Sequence, residues 1–173
     1  MALVVSVLYL RPPTAWLRQG VVHVAPDGFD GRLGQSRRYA LRSIQRAADL
    51  AGPGETILVW PGVYPEEIHL RRGGRPGQPV VLRAASPGRA VITGAGGQGA
   101  SLWIEAPWVE VHDLRFDFGL KAAAIQLWDT HHVLLEGNRF EGAAGAIQDS
   151  PHLRAPSQVR ERHNVSHASM PGP

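Results

Sequence analysis

Two hydrophobic periods follow one another along this chain, and the switch between them falls on Gly52, Pro53 and Gly54. Before the switch, Ile44, Ala47, Ala48 and Ala51 recur at helical spacing, with Ser43 placed as an N-cap and Gly52-Pro53 as a stop. A short helix is expected near residues 43–51. After the switch the period drops to two. Thr56, Ile57, Leu58, Val59 and Trp60 make a β-prone run closed by Pro61-Gly62, and Val63-Tyr64 begins another before Glu66 and Glu67. Comparable runs start at Val80, Ala90, Val109 and Val133, so the pattern predicts many short strands behind one helix.

These runs repeat. Residues 109–116 (VEVHDLRF) align without gaps on residues 133–140 (VLLEGNRF), an offset of 24, and residues 159–166 (VRERHNVS) follow a further 26 residues on. Such offsets fit one coil of a parallel β-solenoid, whose short strands stack on those of the neighbouring coils. Alternation turns Val109, Val111 and Phe116 inward in one coil, and Val133, Leu135 and Phe140 in the next, as stacked columns. Asn138, at the bend between two strand pieces, is expected to take a left-handed backbone and to bond the turn through its amide. Asn164 falls on the same position and Leu114 precedes both, so an asparagine ladder would begin at the second copy. The expected fold is all-β, with about four to five coils between Thr56 and Ser166 and residues 41–51 capping the open N-terminal end. Past Gly145 the apolar density falls and no comparable C-terminal cap is legible, so that end reads as incomplete.

The first elements also carry a resemblance. Ser43, Ile44, Gln45 and Ala47, then Pro53-Gly54-Glu55-Thr56-Ile57 with Val59, then Pro61-Gly62 with Tyr64, resemble the opening coil of right-handed parallel β-helix proteins of the pectate-lyase-like superfamily. Residues 22–28 (VHVAPDG) resemble the entry strand of that family, and residues 77–84 (GQPVVLRA) and 87–94 (PGRAVITG) its next coil. The likeness covers residues 21–142 and implies a right-handed parallel β-helix. The chain then divides into an N-terminal segment (1–20), a β-helix domain (21–149), and a weak last coil with a polar tail (150–173).

Composition narrows the chemistry. A chain of 173 residues with 43% hydrophobic content can build one substantial core. Twenty Gly and fourteen Pro fall between the apolar runs, where they punctuate turns. The absence of cysteine excludes disulfides, thiolate nucleophiles and Cys-ligated metals. The net charge of +3 would suit a polyanion, but the arginines are dispersed and no nucleic-acid motif occurs, so no nucleic-acid partner is expected. The apolar run at residues 2–10 is too short to cross a bilayer. It reads as a weak secretion signal or an extra strand, and no membrane partner is expected.

The resemblance implies an acidic polysaccharide as partner and, in the lyases, β-elimination. A base removes the proton beside a uronate carboxylate, basic side chains or Ca²⁺ neutralise that carboxylate, and the glycosidic oxygen departs. Ca²⁺ is thus the cofactor the resemblance implies. The repeat stacks Arg115 on Arg139 and Asp117 on Glu141, all outward beside the inward Phe positions, as candidate substrate contacts. Lys121, the sole lysine, is the candidate base. The same four charges also read as a solvated, self-compensating ladder. His131 and His132, after Asp129, should diverge on a strand, so no metal site is assigned. Asp27 and Asp30 read as turn formers in preference to Ca²⁺ ligands. Trp60, Trp103, Trp108 and Trp128 suit sugar stacking but read mostly as coil-wall packing.

The expected function is the N-terminal part of a β-helix protein that binds or processes acidic polysaccharide, in the first place a lyase, with epimerase or hydrolase as variants. The alternative is a non-catalytic carbohydrate-binding or structural module, or a truncated inactive fragment. One lysine and one balanced charge strip supply only part of a β-elimination site, so little activity is expected of this chain alone. The resemblance also implies a secreted or periplasmic location, and the uncapped end implies self-association.

Overall fold

The computed structural model describes residues 20–96, 99–119, 122–142, 145–149 and 158–168. The N-terminal apolar run and Lys121 lie outside the described residues. The chain enters through β1 (Val21–Val24), a 3-10 turn (Arg37–Tyr39) and the helix α1 (Ile44–Leu50). The first coil is β2 (Thr56–Val59), β3 (Gly62–Tyr64) and β4 (Ile68–Leu70), and the second β5 (Val80–Ala84), β6 (Ala90–Ile92) and β7 (Leu102–Ile104). The third is β8 (Val109–His112), β9 (Arg115–Gly119) and β10 (Ile125–Leu127), and the fourth β11 (Val133–Glu136), β12 (Arg139–Gly142) and β13 (Ile147–Asp149). β14 (Val159–Arg162) and β15 (Val165–Ala168) begin a fifth. Corresponding strands pair in parallel into three sheets, ordered β1-β2-β5-β8-β11-β14, β3-β6-β9-β12-β15 and β4-β7-β10-β13. This is a right-handed parallel β-helix of about four turns.

The register makes the inward columns continuous. Val22, Ile57, Leu82, Val111 and Leu135 stack in the six-stranded sheet, and Tyr64, Ile92, Phe116 and Phe140 in the five-stranded one, all buried. Phe116 and Phe140 stack with centroids 5.4 Å apart, as the 24-residue repeat requires. Three inward columns, these two and that of Leu70, Ile104 and Leu127, end on a polar residue in the fourth or fifth coil. Glu161 takes the place below Leu135, Ser166 the place below Phe140, and Asp149 the place beside Leu127, all three exposed.

The N-terminal end is covered by α1, whose buried Ile44, Ala47 and Ala48 pack towards β4. Ser43 caps it by accepting the Arg46 N–H. Two carboxylates finish the job: Glu66 accepts from Ile44 and Gln45 N–H at 2.8 and 3.0 Å, and Asp30 from Arg42 and Ser43 N–H at 2.8 and 2.9 Å. The Gln45 amide accepts the His69 N–H at 2.7 Å and donates to the His69 carbonyl at 3.2 Å, continuing the ladder past β4 with a side chain. The helix stops just before Gly52, as expected, but its C-cap Ala51 is extended and Gly52 is not left-handed.

The asparagine ladder begins at the second copy, as expected, but the left-handed residue is not the asparagine. Asp113, Gly137 and His163, each one position earlier, carry φ of 59°, 68° and 52°. They turn the chain and leave the next residue to point inward, where Leu114 and Asn138 are fully buried. The Asn138 carboxamide accepts the Leu114 N–H at 3.1 Å and donates to the Val111 carbonyl at 2.9 Å, while Asn164 serves Asn138 N–H and the Leu135 carbonyl in the same way.

Candidate functional site

On the five-stranded sheet, β9 and β12 pair Arg115 with Arg139 and Asp117 with Glu141, bringing the four expected residues to one face. The column holding the arginines is otherwise aliphatic, with Val63 and Val91 before them and Val165 after. Arg115 reaches diagonally to the next coil and donates to the Glu141 carboxylate, forming an ion pair. Its Nε is buried without a hydrogen-bond partner. Arg139 is exposed and crosses Gly88, where a Cβ would meet its side chain at 3.5 Å. Among the described residues neither Arg139 nor Asp117 has an ion pair. The charge ladder is therefore half compensated, with one cation engaged and one left to solvent.

The four-stranded sheet carries a cluster that the sequence reading missed. His69, Trp103, Gln126 and Gln148 share one outward column, and the His69 and Trp103 rings stack 2° from parallel with centroids 5.8 Å apart. His69 Nδ1 meets the Glu105 carboxylate and its Nε2 lies 3.2 Å from that of Glu67. Arg71 donates to Glu105 at 3.2 Å. Burial alone would raise the Glu105 carboxyl, but His69 and Arg71 together hold it below the usual carboxylate range. The signal in the sequence was weak because these residues come from different coils. Only the pairing of β4 with β7 puts His69 beside Trp103.

The tryptophans resolve into histidine–indole stacks. His23 lies against Trp60 and accepts its indole N–H at 3.1 Å, and burial with the Arg37 charge holds the His23 imidazole below its ordinary value. Trp108 and His132 stack at 3.9 Å. Trp128 is the exposed member of the four. The expectation that His131 and His132 diverge is overturned: their Nδ1 atoms lie 2.7 Å apart. Asp129 and His132 have φ of 44° and 56°, so this is a left-handed turn before β11, and strand alternation does not apply.

The outer face of the six-stranded sheet is concave. A groove of about 510 Å³ is lined by Pro79, Trp108, Glu110, His132, Leu134 and Arg160 among others. Beside it His112 sits between Glu110 (3.0 Å) and Glu136 (3.5 Å).

No three or more His, Asp or Glu side chains are arranged to hold a metal ion among the described residues. Of the carboxylates that the resemblance offers to Ca²⁺, Asp30 is engaged on backbone N–H groups, Asp27 on Arg37 and Glu141 on Arg115, which leaves Asp117 as a single ligand. This donor set does not fit Ca²⁺, and no step is derived through it.

No protein-family model matches the chain. It is 27% identical over 105 residues to the uncharacterized protein YwoF of Bacillus subtilis (strain 168), across 61% of this chain and 22% of the relative. It is 34% identical over 80 residues to pectate lyase L of Dickeya chrysanthemi, across 42% of this chain and 19% of the relative. The chain thus spans about a fifth of the length of these two relatives. Among solved structures it is similar to a GH136 lacto-N-biosidase from Eubacterium ramulus, with a TM-score of 0.65 and 14% identity over 87% of this chain and 34% of that one. It is also similar to an alginate lyase from Paenibacillus sp. str. FPU-7, with a TM-score of 0.51 and 22% identity over 62% and 40% of the two chains. Likeness at such identities concerns the fold. Register, columns and ladder together make this chain, by fold, a right-handed parallel β-helix.

Proposed function

We propose that the chain is part of a carbohydrate-processing β-helix protein that takes an acidic polysaccharide and cleaves it, lyase-fashion, by β-elimination. The observation that carries this reading is Arg139, a cation without an ion pair among the described residues, one rung from Arg115 in an otherwise aliphatic outward column. Strands on adjacent rungs lie about 4.8 Å apart, so a sugar lying across them would meet the guanidinium with its carboxylate and the valines with its apolar ring face. Neutralising that carboxylate acidifies the neighbouring C–H proton, and Lys121 is the proposed base. The names of the pectate lyase relative and the alginate lyase neighbour favour a uronate polymer. A secreted or periplasmic location accompanies such a substrate. A non-catalytic binding module is the second reading, favoured by the Arg115–Glu141 pair, which uses two of the four strip charges internally.

The test is direct. Pectate, alginate and glycosaminoglycans are offered with and without added Ca²⁺, binding is measured, and the unsaturated product is followed by absorbance. Binding weakened by Arg139→Ala and by salt, with little turnover by this chain alone, is the expected result. Turnover lost in Lys121→Ala would establish the base within this chain. Polymer binding indifferent to salt and to Arg139 would overturn the reading.

A further inference from the structure

We propose that the groove on the outer face of the six-stranded sheet is a second saccharide site, built for a short carboxylate-bearing oligosaccharide. It rests on the carbohydrate reading above but uses a different sheet and none of the Arg139 strip.

Register builds the groove. Pro79, Trp108, His132 and Gln158 each stand immediately before a strand, and the strands they precede pair Val80 with Val109, Val109 with Val133, and Val133 with Val159. The four side chains therefore form one wall, on successive rungs. Trp108 and His132 reach it through left-handed backbone, φ 59° and 56°, a conformation uncommon for side chains of this size and held here by their mutual stacking at 3.9 Å. The floor is the outward column Glu110, Leu134 and Arg160, also in register, with Arg162 two residues further along the same face of β14.

The lining has the chemistry of a sugar acid. Trp108, Pro79 and Leu134 offer apolar surface to the C–H side of a ring, and Gln158 and Glu110 offer partners to hydroxyls. Arg160 and Arg162 have no ion pair among the described residues, whereas Glu110 is already held by His112 at 3.0 Å. The charge left over in the groove is positive, which selects a carboxylate over a neutral sugar. The volume of about 510 Å³ is that of a small-ligand site.

The whole chain is titrated calorimetrically with galacturonate, mannuronate and glucuronate oligomers of two to four units, and with the same oligomers after reduction of their carboxyls. At least one uronate series should bind, and its reduced counterpart should not. The Arg160→Gln, Arg162→Gln double variant, both residues being exposed on the edge strand, should lose about tenfold or more in affinity while its circular dichroism is unchanged. Arg139→Gln should leave this binding unaltered, which separates the groove from the strip. Equal binding by reduced oligomers, full affinity in the double variant, competition by inorganic phosphate as effective as by the uronate, or no uronate binding at all would each overturn the proposal. None of these results bears on polymer binding through Arg139.

Discussion

Asn138 replaces at one corner what water would otherwise have to supply. Its amide is the partner of the buried Leu114 N–H and of the Val111 carbonyl, and it lies in a fully buried position. Asn138→Ala should cost about 2–3 kcal/mol in urea unfolding, because it strands a buried donor and a buried acceptor together. Phe140→Ala should cost about 3–5 kcal/mol, the loss of a large ring from the aromatic column beside Phe116; a cost near zero would mean that the ring does not sit in the core. Both positions were legible in the sequence, since an ungapped repeat puts Asn on Asn and Phe on Phe. The left-handed residue was not. Asp113, Gly137 and His163 share a backbone angle but no side-chain type, so only Gly137 offered a hint.

The cap is the element whose stability should follow pH. Burial pushes the Asp30 carboxyl up, but the Ser43 and Arg42 N–H groups outweigh it and hold the group below the ordinary carboxylate value. The unfolded chain thus binds the proton more readily, so the stability from Asp30 is present above about pH 4 and is lost as pH falls through its depressed value. Glu66 works the other way: burial raises its carboxyl despite the N–H groups of Gln45 and Ile44, so its contribution is present in acid and fades as pH rises through the raised value. Acid unfolding followed by circular dichroism should flatten in Asp30→Asn and steepen in Glu66→Gln. The helix itself was legible from its period. The His69 cluster and the groove were not, because their residues gather only when the register of several coils is known, and the offset between coils changes from 24 to 22 within the third and fourth coils alone.

At the scale of the whole molecule three of the apolar columns end in Glu161, Ser166 and Asp149. A second copy stacking on that end would have to desolvate the Glu161 carboxylate in the register place of a core leucine, at a cost of several kcal/mol. Glu161→Leu with Ser166→Phe should therefore promote self-association, read as earlier elution in size-exclusion chromatography and a dependence of melting on protein concentration. An unchanged monomeric profile would show that these residues do not govern the end. The form of the product follows from geometry already described. The stacked strands run parallel, and among the described residues a helix covers only the N-terminal end, so copies joined end to end meet through unlike surfaces. Such a contact does not close on itself, and each added copy presents the next with the same free end. Assemblies of the Glu161→Leu, Ser166→Phe variant should therefore be linear, with a mass that grows with protein concentration.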